Sequence, residues 1–241
     1  MIRSGILRKI AVGTLGFCLS LSAGAGTITG TIKFEGEPPV MKELPVTADP
    51  ACAAMHKDSP IVNEALVLGD GQTMANVLVV VTKGVPEKEY PAPAEPMVVT
   101  QHGCQYAPHV FAVQAGQTVK FLNPDGVLHN VNGMAKKNTA FNRAMPKELT
   151  ELEVKLDKPE DAFELKCDIH PWMKAYCAVI AHPFFNITGK DGAYKIDNLP
   201  AGEYEITAWH ERLGKQTATV TVADAAPGAH DFAFSRPAAA K

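Results

Sequence analysis

Helical periodicity is what this chain most lacks. No stretch of its 241 residues keeps apolar positions at a 3.6-residue spacing, which excludes a helix-built fold. Past residue 25 no apolar run approaches the ~20 residues that a membrane-crossing helix requires. An excess of positive charge is missing too: 23 Lys and Arg stand against 26 Asp and Glu, a formal net charge of −3. That balance gives no electrostatic attraction to nucleic acid.

What is present is β patterning. Short alternating segments rich in Val and Thr are punctuated by 19 Gly and 18 Pro, the signature of an all-β chain. Thr27 to Phe34 puts Ile28, Ile32 and Phe34 on one face, a half-buried strand that Glu35-Gly36-Glu37-Pro38-Pro39 ends. Ala75 to Val81 reads as a strand buried on both faces, and the Pro- and Glu-rich stretch from Lys83 to Pro96 as a linker. Further strands are expected at Met97–Gln101, Val110–Val113, Gln117–Leu122, around Leu152, Val154 and Leu156, at Ala162–Cys167 and at Tyr176–Ala181. Gly133 to Lys147 is polar and basic and reads as a loop. Helix is expected only near Asp49–His56 and Met145–Leu149.

Residues 1–25 carry Arg3, Arg8 and Lys9, an apolar stretch from Ile10 to Leu21, and the small residues Ala23-Gly24-Ala25. This is the pattern of a secretory signal peptide, and it predicts a periplasmic or secreted protein. Phe17 before Cys18 is too bulky for a lipoprotein box, so no lipid anchor is expected. Removal of the leader leaves about 216 residues and takes away three positive charges, making the exported chain more acidic.

The densest chemistry lies in Cys167-Asp168-Ile169-His170-Pro171-Trp172-Met173. A thiolate, an imidazole and a thioether donor fall within one short turn at the end of a strand. Upstream, His129 follows a Pro124-Asp125-Gly126 turn just past another strand. Soft sulfur with imidazole selects copper over hard cations, and two His, one Cys and a weak axial Met form the blue-copper electron-transfer set. A structural zinc site would want Cys and His in all four places. A single Cys or Met at a strand end is ordinarily a packing residue; four donors in register are not.

His129-Asn130-Val131, then a long gap, then Cys-x2-His-x2-Met with Pro171 after the second His, resembles the cupredoxins, and among them the short-loop type found in amicyanin. The resemblance covers residues 89–183 and implies a Greek-key β-sandwich holding one type-1 copper through His129, Cys167, His170 and Met173. It also implies that Asn130 hydrogen-bonds near the thiolate and steadies the loop. Further on, Thr188-Gly189-Lys190-Asp191-Gly192-Ala193-Tyr194-Lys195-Ile196 and Pro200-Ala201-Gly202-Glu203-Tyr204 resemble the transthyretin-like, carboxypeptidase regulatory-like modules. Such modules open with a strand similar to Thr27–Phe34. The expected layout is therefore a leader (1–25), an N-terminal β segment (26–88) that completes the C-terminal module, the copper domain (89–183), the module itself (184–236) and a short tail (237–241). The module resemblance implies scaffold or binding roles and carries no chemistry.

With Cys18 lost in the leader and Cys167 assigned to copper, Cys52, Cys104 and Cys177 remain. Cys52 and Cys104 lie in loops and are expected to pair in an oxidising compartment, a closure worth about 4 kcal/mol on the loop-entropy account. Cys177 lies in an apolar strand and reads as a buried free thiol. His56, His102, His109, His182, His210 and His230 read as single-hydrogen-bond residues. Asn186-Ile187-Thr188 is a glycosylation sequon only in a host that modifies exported proteins.

The expected function is one-electron transfer without substrate turnover, so not an enzyme, with a redox protein such as a c-type cytochrome or a dehydrogenase as partner. A multinuclear copper enzyme would need further clustered ligands, and neither a His-x-His pair nor a second Cys three residues after Cys167 occurs. The alternative is a copper carrier or sensor, or a β-rich binding module. The tail from Ser235 has none of the Met or His that carriage would favour.

Overall fold

The computed structural model describes residues 26–223 and 226–236. The expected leader with Cys18, and the tail from 237 to 241, lie outside the described residues. The all-β expectation holds: strands dominate, and among the described residues the helical content is one short α-helix with two 3₁₀ turns.

In chain order the elements are β1 (Gly26–Glu35), α1 (Pro50–Met55), β2 (Leu78–Lys83), β3 (Met97–Gln101), β4 (Tyr106–Ala107), β5 (Val110–Gln114) and β6 (Thr118–Leu122). They continue with β7 (His129–Gly133), β8 (Phe141–Met145), β9 (Glu151–Lys155), β10 (Glu160–Lys166) and β11 (Lys174–Ile180). The last six are β12 (Phe185–Ile187), β13 (Ala193–Leu199), β14 (Gly202–His210), β15 (Gly214–Val222), β16 (Gly228–Ala229) and β17 (Phe232–Ser235).

Four sheets pair into two sandwiches. In the first, β5-β11-β10-β7-β8 faces β4-β3-β6-β9 across a core that includes Phe111, Val113, Phe121, Val131 and Leu165. In the second, β12-β2-β14-β15 faces a sheet in which β1 pairs with β13 on one side and with β16 and β17 on the other. Its core gathers Ile28, Ile32, Phe34, Tyr194, Ile196, Tyr204 and Ile206. Thus β1 and β2 pair with strands that follow Phe184, about 100 residues or more downstream. The Lys-Asp-Gly turn before β13 works because Gly192 has φ +67° and its Cα lies against the Ile32 carbonyl, where a side chain has no room.

The sandwiches pack against each other through β2, β12 and β14 on one side and β5 and β11 on the other. Leu78, Ala112 and Ala178 are buried there, with Ile180, Phe185, Ile187 and Trp209 packed against them. Alanine at 112 and 178 lets two sheets approach closely, and it explains why every residue of β5 is buried. Between β1 and β2 the chain leaves the second sandwich altogether. It lays Leu44, Val46, Cys52 and Ile61 on the first sandwich's core, is tied there by a Cys52–Cys104 disulfide, and returns.

Three local expectations are corrected. Gly133–Lys147 contains strand β8, paired residue for residue with β7. It is an edge strand whose Asn142, Arg143 and Ala144 are exposed, so burial left no apolar alternation to read. The stretch Met145–Leu149 is not helical: Met145 closes β8 opposite His129, and Leu149 N–H reaches back to the Pro146 carbonyl in a turn. The run from Ala75 becomes a strand only at Leu78, because Asn76 takes a left-handed φ of +61°. Helix α1, expected at Asp49–His56, forms at Pro50–Met55 with Asp49 as its N-cap.

Candidate metal centre

Two strand ends set the site. β7 begins at His129, directly after the turn at Asn123–Leu128, and β10 ends at Lys166, one residue before Cys167. These strands are antiparallel neighbours, with Lys166 opposite Asn132. The connection from Cys167 to Met173 is pinned by its own backbone: Met173 N–H donates to the His170 carbonyl (2.9 Å), and Cys167 N–H to the Met173 carbonyl (3.1 Å). His170 N–H points at Cys167 Sγ (3.4 Å). Spacing of three and three residues is what allows this loop to close and turn its side chains inward.

His129, Cys167 and His170 come together in the interior. The two Nδ1 atoms are 2.9 Å apart, Cys167 Sγ lies 3.8 Å from His170 Nδ1, and one donor atom from each of the three lies within 4.8 Å of the others. None of the three is more than 1% exposed, and Met173 is equally buried. Three such donors, two imidazole and one thiol, lie close enough to hold one metal ion.

The electrostatics favour a thiolate. Burial pushes the Cys167 thiol up, but hydrogen bonds from His129 and from the backbone N–H groups of Asn130, His170 and Ile169 outweigh it and hold the thiol below its ordinary range. Burial disfavours a charged His129, yet Asp125 and Cys167 beside it raise that ring to about 9. His170, desolvated and next to His129, is lowered.

Around this set lies a second layer of hydrogen-bonding groups, most of which carry no motif of their own in the sequence. Asp125 Oδ2 accepts from His129 Nε2 at 2.9 Å, and the same carboxylate accepts from the backbone N–H of Gly103 and Cys104, each at 2.8 Å. It thus fixes which His129 nitrogen faces the cluster. Asp125 stands four residues before His129, a spacing visible in the sequence, where it passed for turn chemistry alone. Asn130 does approach the thiolate through its N–H, and its Oδ1 accepts from Asp168 N–H at 2.5 Å. Asp168 is in turn held by Asn132 (3.0 Å) and Asn142 (2.8 Å). Tyr106 donates to the Asn130 carbonyl. On the far side, Asp49 Oδ2 approaches His170 Nε2 (3.4 Å), and Trp172 stacks obliquely 5.1 Å from His170 while donating to the Cys104 carbonyl.

The Cys52 and Cys104 sulfurs lie within 4.8 Å of a His170 nitrogen but are spent in their disulfide; the other thiol and the other imidazoles have partners outside the three-donor cluster. Cys177 is a buried thiol whose burial pushes its pKa up. His182 and His210 each accept one backbone N–H, from Phe184 and Arg212. His56 reaches the Gly103 carbonyl at 2.7 Å, His102 approaches Asp125 from the exposed side, and His230 packs on Phe232. Two residues depart from the single-bond expectation: His56 Nδ1 also faces the Ser59 carbonyl at 3.3 Å, and His109 meets the Lys174 carbonyl through Nδ1 and the Glu211 carboxylate through Nε2. Thr188 of the sequon is buried and donates to the Met74 carbonyl.

No family model matches the chain, and no curated protein matches it. Among solved structures it is similar to a Cu-containing nitrite reductase from Thermus scotoductus SA-01, at 23% identity and TM-score 0.32 over 42% of this chain and 25% of that one. It is also similar to the Cu(I) form of an amicyanin mutant, at 21% identity and TM-score 0.32 over 42% of this chain and 97% of that one. A purple cupredoxin from Nitrosopumilus maritimus gives 20% identity and TM-score 0.29 over 34% of this chain and 98% of that one. The chain thus spans about a quarter of the nitrite reductase's length.

Proposed function

We propose that the chain is an exported copper protein that carries single electrons and turns over no substrate, with one type-1 copper held by His129, Cys167, His170 and Met173. The observation that carries this reading is the convergence of His129 Nδ1, His170 Nδ1 and Cys167 Sγ in a buried, preformed cluster. Copper in such a set supplies a one-electron couple whose two oxidation states accept the same ligands. The chain's own residues do the rest. Asp125 holds the His129 ring in orientation, Asn130 and its Asp168 partner keep the Cys167 loop rigid, and the buried surroundings exclude water, so little has to rearrange when charge changes. The partner is a redox protein, a c-type cytochrome or a dehydrogenase, in the periplasm or outside the cell. The second sandwich serves as a scaffold.

Adding Cu(II) to the purified chain and recording visible absorption and electron paramagnetic resonance tests this. A strong thiolate charge-transfer band with narrow copper hyperfine splitting is expected, and Cys167→Ala removes the band while the far-ultraviolet β signal stays. A colourless zinc adduct that resists copper, or a band that survives Cys167→Ala, overturns the reading.

A further inference from the structure

A cavity of about 660 Å³ opens where the two sandwiches and the 36–77 excursion meet. Its size and its place between packed units are those of a small-molecule site. Three kinds of surface line it. Leu44, Leu66, Leu213, Phe34 and Trp172 supply apolar wall. Lys42, Lys174, Arg212 and Arg236 are exposed at its mouth. The floor is polar: the side chains of His109, His210 and Glu211 are buried, and Tyr176 is half-buried.

The floor is already ordered. Both His109 nitrogens face acceptors, the Lys174 carbonyl at 3.1 Å and the Glu211 carboxylate, an arrangement that suits the imidazolium, in which both nitrogens donate. His109 and Glu211 therefore cancel each other's charge, with their side chains 8% and 7% exposed. With both nitrogens engaged, His109 has none left for a cation. His210, 1% exposed, accepts from Arg212 N–H through Nδ1. That puts its proton on Nε2 and leaves it available to a guest.

The mouth is not neutral. Lys174 pairs with Glu164, but Lys42, Arg212 and Arg236 meet no carboxylate within ion-pair distance among the described residues. Glu64 is the one other carboxylate lining the cavity; burial raises its pKa, and its Oε2 lies 3.9 Å from His109 Nδ1, away from the three unpaired cations. An apolar chamber with a cationic mouth and a donor in its floor selects a guest with a rigid apolar body and one anionic group.

We infer that this cavity is a binding site for an amphipathic organic anion, an aromatic carboxylate or sulfonate, with its body against Leu44, Leu66 and Trp172 and its charge at Arg212 and Arg236. Because Trp172 both lines the chamber and stacks on His170, occupancy also changes the surroundings of the metal cluster. The site itself does not depend on a bound metal.

The test uses the full exported chain and two probes of nearly one shape, 8-anilinonaphthalene-1-sulfonate and the uncharged N-phenyl-1-naphthylamine, followed by calorimetry and fluorescence. The sulfonate is expected to bind saturably at one site, about tenfold or more tighter than the neutral probe. A double Arg212→Ala, Arg236→Ala variant is expected to lose that preference, with the near-ultraviolet dichroism of the fold unchanged, since both side chains are exposed. Leu66→Trp, which fills the chamber, is expected to abolish binding of both probes. Absence of saturable binding, equal affinity for the two probes, or a sulfonate affinity that survives either variant overturns the proposal. None of these readouts uses copper, so failure here leaves the electron-transfer reading standing, and the converse also holds.

Discussion

Asp49 and His170 are 121 positions apart, yet the Asp49 carboxylate oxygen Oδ2 stands 3.4 Å from His170 Nε2. The other oxygen of the same carboxylate caps α1, accepting from Ala51 N–H at 2.8 Å and Cys52 N–H at 3.2 Å. One side chain thus starts the helix and covers the outer edge of an imidazole in the cluster, and the Cys52–Cys104 disulfide holds that helix in place.

Asp49→Ala is expected to cost about 1 kcal/mol through the lost cap and to uncover His170 Nε2. Copper should still bind, while reduction by a small soluble reductant, followed by stopped-flow loss of the charge-transfer band, should become several-fold faster. Unchanged stability together with an unchanged rate would mean that the helix does not shield the ring.

Asp125 holds His129 Nε2 and two backbone N–H groups of the Gly103–Cys104 turn at once. Removing it as Asp125→Ala should leave a freely rotating His129 and lower metal affinity about 10- to 100-fold, measured by competition with a chelator. Wild-type affinity in that variant would show that packing alone orients the ring.

Glu160 is a buried carboxylate far from the cluster. Burial alone raises its pKa, but hydrogen bonds from the Asn138, Lys136 and Lys137 backbone and from the Asn138 side chain overcome this and bring it down to about 2. A depressed carboxylate stabilises the fold above its ordinary pKa of 4.5, and the stabilisation disappears as pH falls toward 2. Thermal midpoints should therefore drop across that acid window. Glu160→Gln should destabilise by about 2–3 kcal/mol at neutral pH and flatten the acid part of the profile; an equally steep profile in the variant would refute the assignment.

Deletion of residues 26–36 removes β1, which lies between β13 on one side and β16 and β17 on the other. The second sandwich should lose its core partners Ile28, Ile32 and Phe34 and expose strand edges. Aggregation, or cleavage after residue 184 in limited proteolysis, is the expected result, with a near-normal copper spectrum from the first sandwich. Loss of the spectrum with a protected C-terminal half would reverse the assignment of β1.

Some of this protein was determined locally. Alternation over a few residues decides strand and face, so Ile28, Ile32 and Phe34 were legible as one buried side, and Asp-Gly chemistry placed the turn before β13. The donors from Cys167 to Met173 are close enough in the chain that spacing alone brings Cys167 and His170 to one point. β8 was not legible, because an exposed edge strand has no apolar face to show. Nor was the role of Asp125, since a turn and a hydrogen-bonded partner for His129 use the same residue. What tertiary structure alone decided are the long-range meetings: Asp49 over His170, Glu211 against His109, and a cavity walled by five separate stretches of chain. Such contacts depend on where the chain is carried between its strands, and a disulfide across 52 positions and sheets joined across more than 150 set that path. Local pattern specifies which face a side chain takes; only the packed sheets specify what it faces.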